Sequence, residues 1–466
     1  MMKMNKKLLS VLVAAGMAAG CNGNTDIGTA GTSMGVVTGF GSVYVNGVKY
    51  ETNGTEFQIE GVSGTEDELA VGHVVIIQGS VNADGVSGVA NSISFSDNVE
   101  GVVVSASIAA DGTGTLDVMG QTVTVTTDTM FETEISTITD MASIAAGNLV
   151  EISGYTSGDG NIVATYVEVK AASFSGEKME VKGLVSNLND TAMTFEIGNL
   201  IVNYGSAVME LEGTSLANGL YVEVETLSPL SGYTMSASKV ELESDGDIDI
   251  DLAEGEEIEI KGPISEIGTD YIVINGQTIY FTAPVETEDG LSFDTLTAGM
   301  LIEVDAYQDA EGRLIAMELE SEKEDDFSID AHVESIDTVN NTITILGQTI
   351  SVNSSTMMKD ERDLSPVRYF SLSDLSNGDW VEVKFYRDDT QGLVATYLER
   401  DDDESSVTGE FKLEGPVEQL GASSFTIGGI EVDLAQYSTA SLDLELEVRG
   451  TYIDGSFTIT SVSLDD

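Results

Sequence analysis

The sequence predicts an all-β protein built from about six tandem copies of a small five-stranded antiparallel barrel. Three observations carry that expectation. Glycine landmarks recur together along the chain, period-two alternation such as Val381-Glu382-Val383 marks half-buried strands, and 49 Gly against 5 Pro supplies tight turns rather than a Pro-rich stalk. With 41% hydrophobic residues the chain can build cores, so it reads as folded rather than as a polyanionic tail.

In chain order, residues 1–20 form a leader: basic Lys3, Lys6 and Lys7, an apolar stretch from Leu8 to Ala19, then Ala18-Ala19-Gly20 before Cys21. Twelve apolar residues fall short of the roughly 18 needed to span a bilayer. The small residues before the cysteine resemble a bacterial lipobox, with Ala18 where Leu is commoner. That resemblance implies that Cys21 takes a diacylglyceryl group and becomes the new N-terminus. Asn22 rather than Asp follows it, which implies the outer membrane. Residues 21–33 are small and polar, a flexible tether. Cys21 is the only cysteine, so no disulfide framework exists and stability comes from packing.

The repeats follow at residues 34–97, 98–172, 178–243, 256–321, 327–400 and 407–466. Each opens with a strand, at Gly35, Gly101, Gly183, Gly262, Ala331 and Gly415. A hairpin comes next (VNGVKY, VMGQTV, IGNLIV, INGQTI, ILGQTI, IGGIEV), with Gly47, Gly120, Asn199, Gly276, Gly347 and Gly429 at its turn. Such two-residue turns call for positive φ, which Gly accepts freely and Asn tolerates. A second landmark at Gly72, Gly147, Gly219, Gly299 and Gly378, absent from copy six, opens a fourth strand, and Gly85, Gly160, Gly232, Gly312, Gly392 and Gly455 open a fifth. Their separations of 13, 13, 13, 13 and 14 fit a hairpin of fixed register. The distance from the first landmark to the second varies from 20 to 31 residues, as a surface connection does.

Five short strands in units of this size resemble an OB-like barrel, with an SH3-like barrel as the alternative and a short helix expected in the long connection. The stretch GVVTGFGSVYVNGVKYET, Gly35 to Thr52, together with the glycine frame, resembles the bacterial domain of unknown function 5666 family. That resemblance implies repeated small barrels in exported, often lipid-anchored proteins, and brings no activity, substrate or catalytic residue with it. Acidic junctions at 243–257, 320–326 and 400–406 should self-repel and extend, giving beads on a string in a rod or arc.

Charge excludes several functions. The chain carries 80 Asp and Glu against 19 Lys and Arg, a net −61 that becomes −64 when the leader's three lysines leave. Nucleic acid and anionic lipid surfaces, which are gripped by clustered cations, are excluded as partners. With two histidines, one cysteine and one tryptophan, no cofactor is expected apart from calcium. The calcium candidate is Asp245, Asp247, Asp249, Asp251 and Glu256, dense in hard oxygen ligands, although Ile250 occupies the place where a calcium loop needs Gly. Glu151, Glu223, Glu303 and Glu382 share one frame position and read as outward residues of half-buried strands. Gly31-Thr32-Ser33-Met34-Gly35 matches the nucleophile-elbow pattern only literally. His73 and His332 read as surface or strand residues, and Tyr155, Tyr166, Tyr386, Tyr397 and Trp380 as core or strand-face aromatics ahead of a sugar platform.

The functional expectation is a non-enzymatic outer-membrane lipoprotein, an acidic repeat scaffold for binding or spacing. It touches the membrane through its lipid alone, and an envelope protein or glycan is its expected partner. A calcium- or polysaccharide-binding surface protein is the alternative, and a hydrolase or accessory subunit of an enzyme complex ranks last.

Overall fold

The computed structural model describes residues 29–464 except 111, 157–160, 244–251, 283, 288–290, 322–325, 363, 365, 389–390, 404, 406, 434, 436, 438–439 and 443. Among these residues the fold is all-β, with four single-turn 3₁₀ segments and no α-helix. The chain divides into two compact units, one of residues 1–36 and 52–322, the other of 37–51 and 323–466. Copy one, expected as a single body at 34–97, is therefore shared between them.

In the first unit, copy two closes a complete circuit. Its first strand, Val99–Ile108, pairs with Gly114–Val118, which pairs with Gln121–Val125. That third strand runs parallel to the last, Ile162–Ala171, which pairs with Leu149–Thr156, and the latter returns to the first strand. Copy four repeats the circuit through Glu257–Ile267, Tyr271–Ile274, Gln277–Tyr280, Leu314–Ser321 and Leu301–Gln308. Bulges bend the strands enough to close it. In copy two the register shifts at Ser153/Gly154, where a side chain at Gly154 would put its Cβ 2.2 Å from the Val163 carbonyl oxygen.

Among the described residues the long connection holds no α-helix. It contributes a short strand, Met130–Thr133, parallel to the last strand, and a 3₁₀ turn at Met141–Ser143 capped by Asp140. Three residues are too few for an α-helical hydrogen bond to repeat. In the second unit, copy six is not closed among the described residues: Ile430–Asp433 pairs with Ser424–Ile427, and Ser456–Leu464 with Glu445–Ile453.

The beads-on-a-string expectation does not hold within the units. First strands begin before the landmark residues, and their leading halves pair between copies. Val99–Ile108 of copy two pairs antiparallel with Met179–Leu184 of copy three, and Phe327–His332 of copy five with Glu410–Pro416 of copy six. Residues 31–34 run parallel to 257–260 of copy four. Backbone groups at an open edge gain hydrogen bonds by pairing, which the repulsion of the acidic junctions does not outweigh. Cores are shared accordingly. One cluster runs from Val99 to Val240 through copies two and three, and another from Phe327 to Val448 through copies five and six. Units too small to bury much surface alone gain it from a neighbour.

Candidate functional site

Pairing between copies two and three sets up a row of like charges. Reading across the sheet, Glu168 lies opposite Glu151, Glu151 opposite Glu100, Glu100 opposite Glu180, and Glu180 opposite Glu225. Five glutamates thus stand in register on five neighbouring strands, and Lys239 ends the row opposite Glu225. Directly opposed like charges destabilise a sheet. The matching row through copies five and six reads Glu399, Glu382, Asp330, Lys412, Arg449, so there the acids meet bases at the seam.

Three lysines flank the first row. Lys170 Nζ reaches Glu151 Oε2 at 3.0 Å and Glu168 at 3.1 Å, and Lys178 bonds Glu180 Oε2 at 2.5 Å. Lys182, 7% exposed in its side chain, donates to Glu60 Oε2 at 3.0 Å, to the Asp97 carbonyl at 3.3 Å and to Ser96 Oγ, with Glu223 Oε2 at 3.6 Å. Asp97 comes from the turn between copies one and two. It is buried, and its Oδ1 has no hydrogen bond, Lys182 Nζ standing 3.9 Å away. Glu180 is 1% exposed, and its Oε1 also has no hydrogen-bond donor.

Carboxylate oxygens converge in three overlapping groups: Glu60, Asp97 and Glu180; Asp97, Glu100 and Glu151; and Glu180, Glu223 and Glu225, each within 4.8 Å of one another. Burial, reinforced by Glu60, pushes the Asp97 carboxyl well above its usual range. Burial and then Glu151 raise Glu100 to about 7, while burial raises Glu223 to about 8 against the pull of Lys182. Burial alone would lower Lys182, but Asp97, Glu60 and Glu223 hold it above the ordinary lysine range.

A family model described as a domain of unknown function (DUF5666) matches residues 34–94, 100–168, 261–320 and 332–399, more than half of the chain. The chain belongs to the DUF5666 family. In this DUF5666 protein the four matches fall on copies one, two, four and five, and copies three and six lie outside them. No curated protein matches the chain. Among solved structures, a multidomain protein with nucleic acid binding domains from Streptococcus pneumoniae is 15% identical, covering 45% of this chain and 73% of its own, at a TM-score of 0.13. Drosophila Unr CSD456 is 14% identical over 47% of this chain and 95% of its own, at 0.11. Neither likeness bears on the fold or function of the DUF5666 chain.

Cys21 and the aspartates Asp245, Asp247, Asp249 and Asp251 lie outside the described residues. Glu256 is described, and its Oε2 accepts the Ala253 N–H at 2.8 Å. Of the turn residues, Gly47, Gly120, Gly276, Gly347 and Gly429 all have positive φ, each preceded by another positive-φ residue. Asn199 is the exception: Gly198 holds the positive φ (55°) and Asn199 does not. A glycine at the first central position shifts copy three to the pattern of a type II′ turn.

Glu151 and Glu223 are not outward residues in water, their side chains being 13% and 11% exposed. Alternation predicts one solvated face for each strand, but His73 and Lys170 stand against Glu151, and Lys182 against Glu223, on that face. His73 is likewise buried, stacked on Phe95 at 3.9 Å between ring centroids and edge-on to Tyr166. Its Nδ1 accepts the Ala70 N–H, and Nε2 lies 3.9 Å from Glu151 Oε1. His332 stays half-exposed, with Nδ1 3.0 Å from the Gly378 carbonyl and its ring edge-on to Trp380. Tyr155 and Tyr166 are buried, and Tyr386 and Tyr397 half-buried. Ser33 sits inside a strand, its Oγ donating to Glu259. The signal that could have disclosed the seam was Asp97 to Glu100 read against Glu180 to Lys182, charged residues placed just before two landmark glycines.

Proposed function

We propose that this DUF5666 chain is a non-enzymatic lipoprotein of the bacterial envelope, held at the outer membrane by a lipid on Cys21. In this reading six OB-like barrels, joined in pairs along a rod or arc, serve as an acidic scaffold for binding or spacing. The observation that carries it is the conjunction of a basic, apolar leader ending at the sole cysteine with repeated copies of a small acidic β-unit. An envelope protein or glycan is the partner class this reading calls for, and no resident cofactor enters it. Among the described residues no helix is long and apolar enough to cross a membrane.

Labelling of expressing cells with radioactive palmitate, followed by density-gradient separation of the membranes, tests it. The full chain should carry label and sediment with outer membrane, and Cys21→Ser should do neither. An unlabelled wild-type chain in the soluble fraction would reject the anchor and the scaffold reading with it.

A further inference from the structure

We propose that the seam between copies two and three, where carboxylate oxygens of Asp97, Glu100 and Glu151 lie within 4.8 Å of one another with Glu180 on the other side of Asp97, is a calcium site. This goes beyond the scaffold reading and does not depend on the anchor.

Two independent features support it. The first is orphaned acceptor capacity. Asp97 and Glu180 are 3% and 1% exposed, yet Asp97 Oδ1 and Glu180 Oε1 receive no hydrogen bond. A buried carboxylate oxygen left without a donor carries a desolvation cost that a cation removes. Asp97 Oδ1 belongs to a carboxylate that joins both the Glu100–Glu151 and the Glu60–Glu180 groups. Lys170 is turned to Glu151 Oε2 and Lys178 to Glu180 Oε2, while Lys182 Nζ, 3.9 Å from Asp97 Oδ1, pairs with it as a charge but stands beyond hydrogen-bond distance.

The second feature is the comparison inside the molecule. At the frame-equivalent seam, Asp330 of copy five faces Lys412 of copy six, whose Nζ lies 3.4 Å from Asp330 Oδ2 and 2.8 Å from Glu414. A sheet built in this way can neutralise its seam with a base. Copy three places Glu180 there instead, opposite Glu100, and adds Asp97 from the neighbouring turn. Lys170, Lys178 and Lys182 offset part of this charge, and ionising the remaining packed carboxylates together calls for a further cation. Calcium fits because it accepts six to eight oxygens in flexible geometry, the Asp97, Glu100 and Glu151 carboxylates with water completing the shell, whereas magnesium demands a near-ideal octahedron.

The test is calorimetric titration of chelator-treated full chain with calcium chloride at neutral pH, with magnesium chloride at equal ionic strength as the screening control. Thermal unfolding is run alongside. We expect saturable calcium binding, a calcium-specific rise in the midpoint, and at least tenfold weaker binding in Glu100→Gln and Asp97→Asn. Asp330→Asn should bind as wild type. Glu100→Gln should be at least as stable as wild type in chelator, because it removes an opposed charge, so its loss of binding cannot be misfolding.

Absence of saturable binding, or equal shifts with both ions, would overturn the proposal. So would a lower midpoint for Glu100→Gln in chelator, or an equal loss in Asp330→Asn. Binding that survives Glu100→Gln but vanishes in Asp247→Asn would place the ion in the 245–256 junction and also reject this site.

Discussion

Asp360 has no exposed side-chain surface and holds two arginines. Arg400 Nε and Nη2 reach it at 3.1 and 2.5 Å, Arg362 Nε and Nη2 at 2.8 and 2.9 Å, and the Val367 N–H at 2.7 Å. Arg400 also lies over the Phe370 ring and bonds the Asp374 carbonyl, so this carboxylate organises the long connection of copy five. Burial would raise its pKa, but the arginine hydrogen bonds outweigh burial and hold it well below the usual range. A depressed carboxylate stabilises the fold above its unfolded pKa, and that contribution is lost only as pH falls through the lower folded value. Asp360→Ala leaves buried Arg400 with Asp379 Oδ2, 3.1 Å from its Nη1, as its remaining carboxylate partner, and should cost about 3 kcal/mol in urea unfolding at pH 7. Asp305 is the opposite case. Burial, then Glu303, Glu318 and Glu320, raise it to about 8. Its protonated form is favoured by folding, so its contribution is present below pH 3.8 and is lost as pH rises through 8. Asp305→Asn should therefore leave stability unchanged near pH 4 and raise it by about 1–2 kcal/mol at pH 9, after allowance for solvent screening. Equal effects at both pH values would refute that assignment.

The hairpin turns show what an element asks of its residues. The tips of copies two and three dock against each other: the Asn199 N–H donates to the Gly120 carbonyl at 3.0 Å, and Gln121 Nε2 to the Ile197 carbonyl at 2.9 Å. Gly120 has φ 85°, and a Cβ there would come within 2.8 Å of the Leu200 nitrogen. Gly198, at φ 55°, would bring one within 2.6 Å of Gln121 Oε1. Gly120→Ala and Gly198→Ala should each lower stability by about 1–3 kcal/mol, combining left-handed strain with the lost approach. Asn199→Ala, at an exposed position without positive φ, should stay within about 0.5 kcal/mol. Denaturant midpoints of the three variants check this, and an Asn199→Ala loss as large as the glycine losses would contradict the turn assignment.

At the scale of the whole chain, self-repulsion at a net charge of −61 opposes compactness. Raising sodium chloride from about 20 mM to about 500 mM should lift the unfolding midpoint by several degrees, since exposed charges are screened over about 10 Å at 0.1 M and less at higher salt. Copies two and three share one core, so residues 98–243 should lose hydrogen-exchange protection together rather than copy by copy. Separate protection classes for the two copies would show that the seam does not couple them.

The strand order within a copy was legible because it is local: glycines at turns and a hairpin interval of 13 or 14 residues depend on backbone conformations that neighbouring residues set. The same glycine frame also marked out the repeats. Seam contacts were not legible. Glu100, Glu180 and Asp97 look like solvated charges in a chain with 80 carboxylates, and their burial follows only from first strands of different copies pairing in register. The Asn199 turn was misread for a related reason, since frame equivalence hid a glycine one position earlier. By itself the sequence determined the repeat, the all-β character and the acidity, because these rest on composition and short-range geometry. Only the tertiary structure decided which copies share a core and where carboxylates stand opposed, because strand pairing joins residues that no local pattern relates.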